Sequence, residues 1–176
     1  MIPGFNLHEN FITPLEEQDL LQAIDKERWS HKLSRRTQHY GYIYDYKRGS
    51  SYAKTTPIPH WCDFLIDRLV DKNVLARRPN QMIINEYMPG QGIAPHIDDP
   101  SSFDDGIVSV SLGSPIYMDF IGDKKRKEVY LPRRSMFSLH KQARYLWKHG
   151  IAARKYDHKI MRKRRVSLTF RIMKRC

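Results

Sequence analysis

Ile107-Val108-Ser109-Val110-Ser111-Leu112 carries the fold class of this chain. Ile107, Ser109 and Ser111 alternate with Val108, Val110 and Leu112, the period of two that sends successive side chains to opposite faces of a strand. The same grammar repeats on both sides. Gln81–Tyr87 is stopped by Met88-Pro89-Gly90-Gln91-Gly92. Ile116–Ile121 and Glu128–Leu131 flank a polar hairpin turn, Gly122-Asp123-Lys124-Lys125-Arg126-Lys127, and Ser135–Leu139 and Arg165–Met173 follow. Short strands at this spacing predict an α+β chain, mainly β, built as a sandwich or jelly roll.

Before residue 80 the pattern is helical. Thr13 suits an N-cap, Pro14 the first helical position, and Glu16 closes a capping box, with Leu20, Leu21 and Ile24 as the apolar stripe up to about Arg28. A second helix is expected from near Pro57 to Asp71, with Trp61, Phe64, Leu65 and Leu69 on its buried side. These two N-terminal helices are supports that buttress one sheet.

A chain of 176 residues suits one domain, 1–176, with a single core. No apolar run has the length of a membrane span, and the opening Met-Ile-Pro-Gly-Phe-Asn lacks the pattern of a signal peptide. Two cysteines, Cys62 and Cys176, exclude a disulfide framework and a cysteine zinc cluster. The expectation is a monomeric intracellular protein without membrane contact, with cytoplasm and nucleus left undistinguished.

The net charge of +12 is concentrated at one end. Residues 1–140 hold 18 Lys+Arg against 18 Asp+Glu, whereas residues 141–176 hold 13 against Asp157 alone, so 13 − 1 = +12. Such a segment attracts polyanions by counterion release and long-range steering. A solvated tail or a localisation signal in Arg162-Lys163-Arg164-Arg165 is the alternative. Adjacency to the presumed reaction centre favours nucleic acid, RNA or DNA.

His96-Ile97-Asp98 points to that centre. In an extended segment a histidine and a carboxylate two apart leave on the same side, and Pro95 favours an extended Ala94. A second histidine would complete the two-His, one-carboxylate face of non-haem Fe(II) oxygenases, leaving three cis positions for reactants. His149 is the choice, placed before a turn at Gly150-Ile151, and His140 the runner-up. Downstream, Arg165, Ser167, Thr169 and Arg171 share one strand face. Six residues at ~3.3 Å place the two arginine Cα atoms roughly 20 Å apart, and their side chains reaching inward would leave room for a five-carbon diacid. Asn85 and Tyr87, two apart on another strand face, can add polar contacts to the same ligand.

Together, Asn85-Glu86-Tyr87, Pro89-Gly90, His96-Ile97-Asp98, His149-Gly150-Ile151 and Arg165–Arg171 resemble the AlkB family of Fe(II)/2-oxoglutarate dioxygenases. With Leu131-Pro-Arg-Arg-Ser135 and Arg144-Tyr-Leu-Trp-Lys-His-Gly150, the likeness is strongest to the tRNA-modifying eukaryotic branch. The resemblance implies a double-stranded β-helix, the jelly-roll form, with Fe(II) on His96, Asp98 and His149. It implies 2-oxoglutarate as co-substrate, contacted by Asn85, Tyr87, Arg165 and Arg171, and molecular oxygen as oxidant. The branch's cysteine-rich zinc site after the arginine strand has no counterpart here, and the segment between Ile151 and Arg165 is short for that branch.

Residues 33–48, Leu-Ser-Arg-Arg-Thr-Gln-His-Tyr-Gly-Tyr-Ile-Tyr-Asp-Tyr-Lys-Arg, interleave bases with tyrosines. They fit a lid that stacks a nucleobase, with Arg36 and Tyr40 as substrate contacts, and equally the buried face of a strand. An enzyme acting on a base needs it unstacked, which favours single strands or flipped nucleotides. The leading expectation is therefore oxidative demethylation of alkylated bases in RNA or DNA. The rival is hydroxylation of a modified wobble uridine in tRNA. Oxidation of a protein side chain and a binding module without catalysis are the more distant readings.

Overall fold

The computed structural model describes residues 2–45 and 51–174; Tyr46, Lys47 and Arg48 of the aromatic-basic stretch, and Cys176, lie outside them. The first half contains β1 (Phe5–His8), α1 (Pro14–Lys26), β2 (Thr37–Tyr40), β3 (Tyr42–Asp45), β4 (Ser51–Lys54), a 3-10 turn at His60–Cys62, and α2 (Asp63–Asp71). The second contains β5 (Gln81–Tyr87), β6 (Ile93–His96), β7 (Ile107–Gly113), β8 (Ile116–Gly122), β9 (Lys125–Leu131) and β10 (Met136–Leu139). It continues with α3 (Lys141–Tyr145), β11 (Lys148–Ile151), β12 (Tyr156–Asp157), β13 (Ile160–Met161) and β14 (Arg165–Arg171). A large antiparallel sheet runs β1-β10-β7-β14-β5-β2 and a small one β6-β11-β8-β9; β3-β4 and β12-β13 are separate ribbons. Two facing antiparallel sheets form the jelly roll that the strand spacing predicts.

The alternation in β7 sorts the interior into two compartments. Val108, Val110 and Leu112 pack with Val166, Leu168 and Phe170 of β14 against Leu20 and Ile24 of α1 and Leu65 and Leu69 of α2. Ile107 turns the other way, into the space between the sheets with Phe137, Met118, Phe120 and Ile151. The serines of β7 share that inner side, where Ser109 lines a cavity, which explains polar residues in a central strand: Ser109 accepts a hydrogen bond from Thr169 (3.3 Å) and Ser111 one from Arg165 (2.8 Å).

The helices buttress the large sheet as expected. At α1 the Thr13 hydroxyl accepts from Glu16 N–H (3.1 Å) while the Glu16 carboxylate accepts from Thr13 N–H (2.8 Å), and Arg68 of α2 grips the same carboxylate (2.5 Å). The second helix starts later than Pro57. Pro59 holds Ile58 out of the α region, so a 3-10 turn comes first and α2 opens at Asp63. Its buried face is Leu65, Ile66 and Leu69, while Phe64 is 37% exposed.

Strand limits differ at the turns. The hairpin expected to span Gly122 to Lys127 is a two-residue turn, with Gly122 already paired to Lys125. Ordered pairing of β14 ends at Arg171, and Met173 makes only a single bridge to Phe103. β1, β6 and β11, of four residues each, are strands that the sequence reading does not single out, whereas β2 falls in the tyrosine stretch read equally as a strand. Only tertiary pairing makes strands of Ile-Ala-Pro-His and Lys-His-Gly-Ile.

Candidate active site between the sheets

His96 closes β6 and stands directly opposite His149 of β11, their rings 4.5 Å apart. This pairing depends on close backbone approach: a Cβ on Gly150 would lie 2.8 Å from Pro95 N and 2.9 Å from Ile93 O. Gly150 therefore serves inside a strand rather than in the turn expected after His149. Asp98 follows two residues beyond β6, with its Oδ2 3.6 Å from His149 Nε2. One donor atom from each of the three residues lies within 4.8 Å of the others. Ligands ~2.1 Å from one metal are at most ~4.2 Å apart, so the cluster needs only slight contraction to close on an ion. His140 is elsewhere, 3.9 Å from Asp105 and packed on Gly106.

The surroundings orient His96 and set the charge states of His149 and Asp98. His96 Nδ1 lies 2.9 Å from Ala94 O, a contact it makes as N–H, which leaves Nε2 as the free lone pair. Burial pushes His149 down to about 4 despite the neighbouring Asp98, so at neutral pH it is the uncharged imidazole that binds metals. Burial alone would raise the Asp98 carboxyl; Arg171, foremost, and the two histidines outweigh it and hold the group below its ordinary range. Arg171 Nη2 sits 2.6 Å from Asp98 Oδ1, and Arg144, itself 2% exposed, donates to the carbonyls of Asp98 (2.6 Å) and Asp99 (3.2 Å).

A cavity joins these donors to the large sheet, where Asn85, Tyr87, Ser167 and both strand arginines line it. The sequence-predicted metal and co-substrate residues thus all border one space. Arg165 is 1% exposed, donates to Ser111 and lies 5.5 Å over the Tyr87 ring. Burial pulls it down to about 10, which still leaves it charged at neutral pH. Among the described residues no carboxylate forms an ion pair with it, and the Nε atoms of Arg165 and Arg171, Asp98 Oδ2 and His149 Nδ1 are buried without hydrogen-bond partners. A buried cation without a counter-ion is costly, and an anionic ligand here would remove the deficit. The donor set therefore fits a divalent metal with a dicarboxylate beside it.

The proposed substrate contacts are placed differently. Tyr40 is 5% exposed, packs in the helix-side core and donates its hydroxyl to Gln38 (3.0 Å), so it offers no face to a base. Arg36 turns to the same outer side, over the Trp29 ring (4.5 Å) and ion-paired with Glu86. Arg35 is the residue that sequence reasoning passed over: its Nε donates to Asn85 Oδ1 (2.9 Å) and its guanidinium lies 6.0 Å from the Tyr87 ring centroid. Strand parity is the signal that would have found it, because β2 pairs Thr37 with inward-facing Asn85. The described arginines of the basic C-terminal segment are buried or paired, whereas its lysines Lys141, Lys148, Lys155, Lys159, Lys163 and Lys174 are exposed. Arg144 and Arg165 are buried in the interior; Arg154, Arg162, Arg164 and Arg171 are committed to Glu128, Asp157, Asp25, Glu86 and Asp98.

Two histidines and one carboxylate, held between the sheets of a jelly roll beside buried arginines, define the class of non-haem iron oxygenase sites. The chain belongs to the 2OG-Fe(II) oxygenase superfamily, whose family profile matches residues 21–171, and within it the chain is AlkB-like. It is an oxidoreductase of a family that uses Fe(II), 2-oxoglutarate and O2. An uncharacterised protein of Acanthamoeba polyphaga mimivirus is 36% identical over 96% of this chain and 84% of its own length. The tRNA (carboxymethyluridine(34)-5-O)-methyltransferase ALKBH8 of Macaca fascicularis is 39% identical over 88% of this chain, which spans 25% of that protein. A DNA N6-methyl adenine demethylase of Caenorhabditis elegans is 31% identical over 97% of this chain and 60% of its own length. The solved structure of OsALKBH1 shares the fold, with a TM-score of 0.77 at 18% identity over 98% of both chains. No helix among the described residues is long and apolar enough to cross a membrane.

Proposed function

We propose that this chain oxidises a carbon–hydrogen bond on a nucleic-acid base, removing an N-methyl group from RNA or DNA. In this reading His96, Asp98 and His149 hold Fe(II), and Asn85, Tyr87, Arg165 and Arg171 contact 2-oxoglutarate. The observation that carries it is Arg165, a buried cation without a counter-ion among the described residues that borders the same cavity as the two histidines and Asp98. Loaded with iron, 2-oxoglutarate and oxygen, the site would couple hydroxylation of the substrate to formation of succinate and carbon dioxide. Arg165 supplies a charge-assisted grip for one carboxylate, with Tyr87 and Asn85 as neighbouring polar contacts. Arg171 keeps Asp98 ionised, and Ala94 O keeps His96 in the ligating tautomer. Hydroxylation of an N-methyl group gives a hemiaminal that releases formaldehyde. Substrate contact is reassigned from Arg36 and Tyr40 to the inner side of the same stretch, where Arg35 lies. Residues 1–176 act as one oxygenase unit and a monomer, inside the cell in cytoplasm or nucleus.

The identity to the macaque tRNA enzyme favours a second reading, hydroxylation of a modified wobble uridine. One experiment separates the two. The iron-loaded protein is incubated with 2-oxoglutarate and either methylated single-stranded oligonucleotides or bulk tRNA, followed by nucleoside mass spectrometry. Formaldehyde release with loss of 14 mass units (about one CH2) marks demethylation; a retained oxygen marks hydroxylation. Succinate formation stimulated by neither substrate would overturn both.

A further inference from the structure

Helix α3, five residues long, is placed by the first residues of the chain. His140 N–H donates to Gly4 O (2.9 Å) and Ala143 N–H to Pro3 O (2.9 Å). Gly4 has φ of 85°, and a Cβ there would lie 2.0 Å from His140 O, so only glycine permits this approach. Past the helix, Trp147 lies against Gly122 of β8, and Lys148 opens β11 with His149 next. The segment that delivers His149 is thus held at both ends, and Ala143 and Arg144 are the buried residues of its helix.

Arg144 reaches across to the loop that bears Asp98. Its Nη1 donates to Asp98 O (2.6 Å), its Nη2 to Asp99 O (3.2 Å), and its guanidinium lies 4.9 Å from the Tyr145 ring centroid. Two carboxylates stand at that point of the loop, but both are otherwise engaged: Asp98 Oδ1 with Arg171, and Asp99 with Ser101 and Ser102. Among the described residues no carboxylate forms an ion pair with Arg144, although it is buried. A guanidinium in that position is costly unless its donors are used, and here two are used on main-chain oxygens. Successive carbonyls of a strand point to opposite sides, so one guanidinium can hold both only because the chain has left β6 at His96.

We propose that Arg144 is a positioning residue for the metal centre. It ties the main chain of Asp98 to the segment leading into His149, so two donors from distant parts of the chain keep their mutual distance before an ion arrives. The proposal rests on the reading of His96, Asp98 and His149 as metal ligands. Arg171 and Arg144 act on different parts of one residue: Arg171 holds the Asp98 carboxylate by one oxygen, and Arg144 holds the backbone from which that carboxylate projects. Asp98 Oδ2 is left buried without a hydrogen-bond partner, 3.6 Å from His149 Nε2, as the free donor. Donors set in advance spare the ordering that binding would otherwise have to supply.

The test titrates cobalt(II), whose visible absorption reports coordination geometry, into the metal-free protein and three variants. Arg144→Met keeps an unbranched side chain without donors, and Arg144→Lys can reach one carbonyl at a time. Trp147→Phe loosens the same segment at its Gly122 contact and is the control for a general loss of stability, read by urea unfolding. Cobalt affinity is expected to fall about tenfold in Arg144→Lys and toward about 100-fold in Arg144→Met, the range typical of support behind a metal ligand. At saturation Arg144→Met is expected to show an altered visible band, because Asp98 is no longer held in one direction. Trp147→Phe is expected to lose stability and to keep the parent's affinity and band. The parent's affinity or the parent's band in Arg144→Met overturns the proposal; if that variant does not fold, parent-like affinity in Arg144→Lys does so. A loss of affinity in Trp147→Phe equal to that in Arg144→Met also overturns it. Absence of cobalt binding by the parent overturns the metal reading of the site instead.

Discussion

Arg171 Nη2 stands 2.6 Å from Asp98 Oδ1, at the far end of the same strand that carries Arg165. The sequence pattern suggests two equivalent arginines reaching toward one diacid, but the structure gives them unequal tasks. Arg171 is engaged with the Asp98 carboxylate, with its guanidinium 4.9 Å over the Phe103 ring, whereas Arg165 has no acid partner among the described residues. Replacing Arg171 by Ala leaves Asp98 buried with its main compensating cation gone. Breaking a buried pair costs about 3–5 kcal/mol, and losing support behind a metal ligand typically weakens metal affinity about 10–100-fold. Iron titration of Arg171→Ala is expected to show a loss in that range; affinity within twofold of the parent would mean that Arg171 does not sustain Asp98.

Arg165 predicts the opposite pattern. Removing a buried charge that lacks a counter-ion relieves a cost in the ligand-free protein, so Arg165→Met is expected to be as stable as the parent or more so without 2-oxoglutarate. Addition of 2-oxoglutarate at about 100 times its dissociation constant should stabilise the parent by about 2.7 kcal/mol and leave the variant nearly unmoved. Thermal melts with and without 2-oxoglutarate check this, and iron affinity serves as the control. A variant stabilised by 2-oxoglutarate as strongly as the parent would remove Arg165 from the co-substrate site.

His96-Ile97-Asp98 and the strand Arg165–Arg171 were legible because their chemistry lies within short, regular segments whose side-chain direction follows from a period of two. β5 was legible to the residue, bounded by Pro89 and Gly90. β6 and β11, which bring His96 and His149 together, were not, because their sequences carry no strand preference and long-range pairing fixes them. The outer placement of Arg36, over Trp29 and paired with Glu86, was hidden for a similar reason. A register one residue different exchanges Arg35 for Arg36 across the sheet, and only pairing with β5 sets that register. Which part of the basic segment is free was not legible for another reason: composition counts arginines without showing which are already paired, and it is the lysines that stay exposed.

His39 makes acid sensitivity a second testable property. It lies on β2 beside Thr37 (3.2 Å), and burial, reinforced by Arg171, pushes its pKa from 6.5 down to about 4. The folded protein therefore binds fewer protons than the unfolded chain across that window. Stability from the neutral ring is complete above about 6.5 and is lost as pH falls toward about 4. Because His39 is only partly buried, the contribution is discounted to on the order of 2 kcal/mol. His39→Gln is expected to flatten the stability–pH curve between those values relative to the parent, as read by urea unfolding in iron-free buffer. Parallel curves for the two proteins would show that His39 is protonated as readily in the fold as outside it.

The turn joining β12 to β13 has a different weakness. His158 and Lys159 are its two central residues, with φ of 44° and 71°, in the left-handed region that suits a tight hairpin but disfavours side chains bearing a Cβ. His158 contributes a contact to Glu128, so its strain has a local return, whereas Lys159 is exposed. Lys159→Gly removes the Cβ penalty at the second turn position while leaving the Asp157 cluster intact. The gain is expected to be about 1 kcal/mol, reduced somewhat by the added freedom of the unfolded chain. A rise in the urea midpoint with an unchanged m-value would match this account. Lys159→Val, which adds a β-branched side chain at the same φ, should lower the midpoint; if Gly and Val variants moved together, the left-handed turn would not be limiting this hairpin.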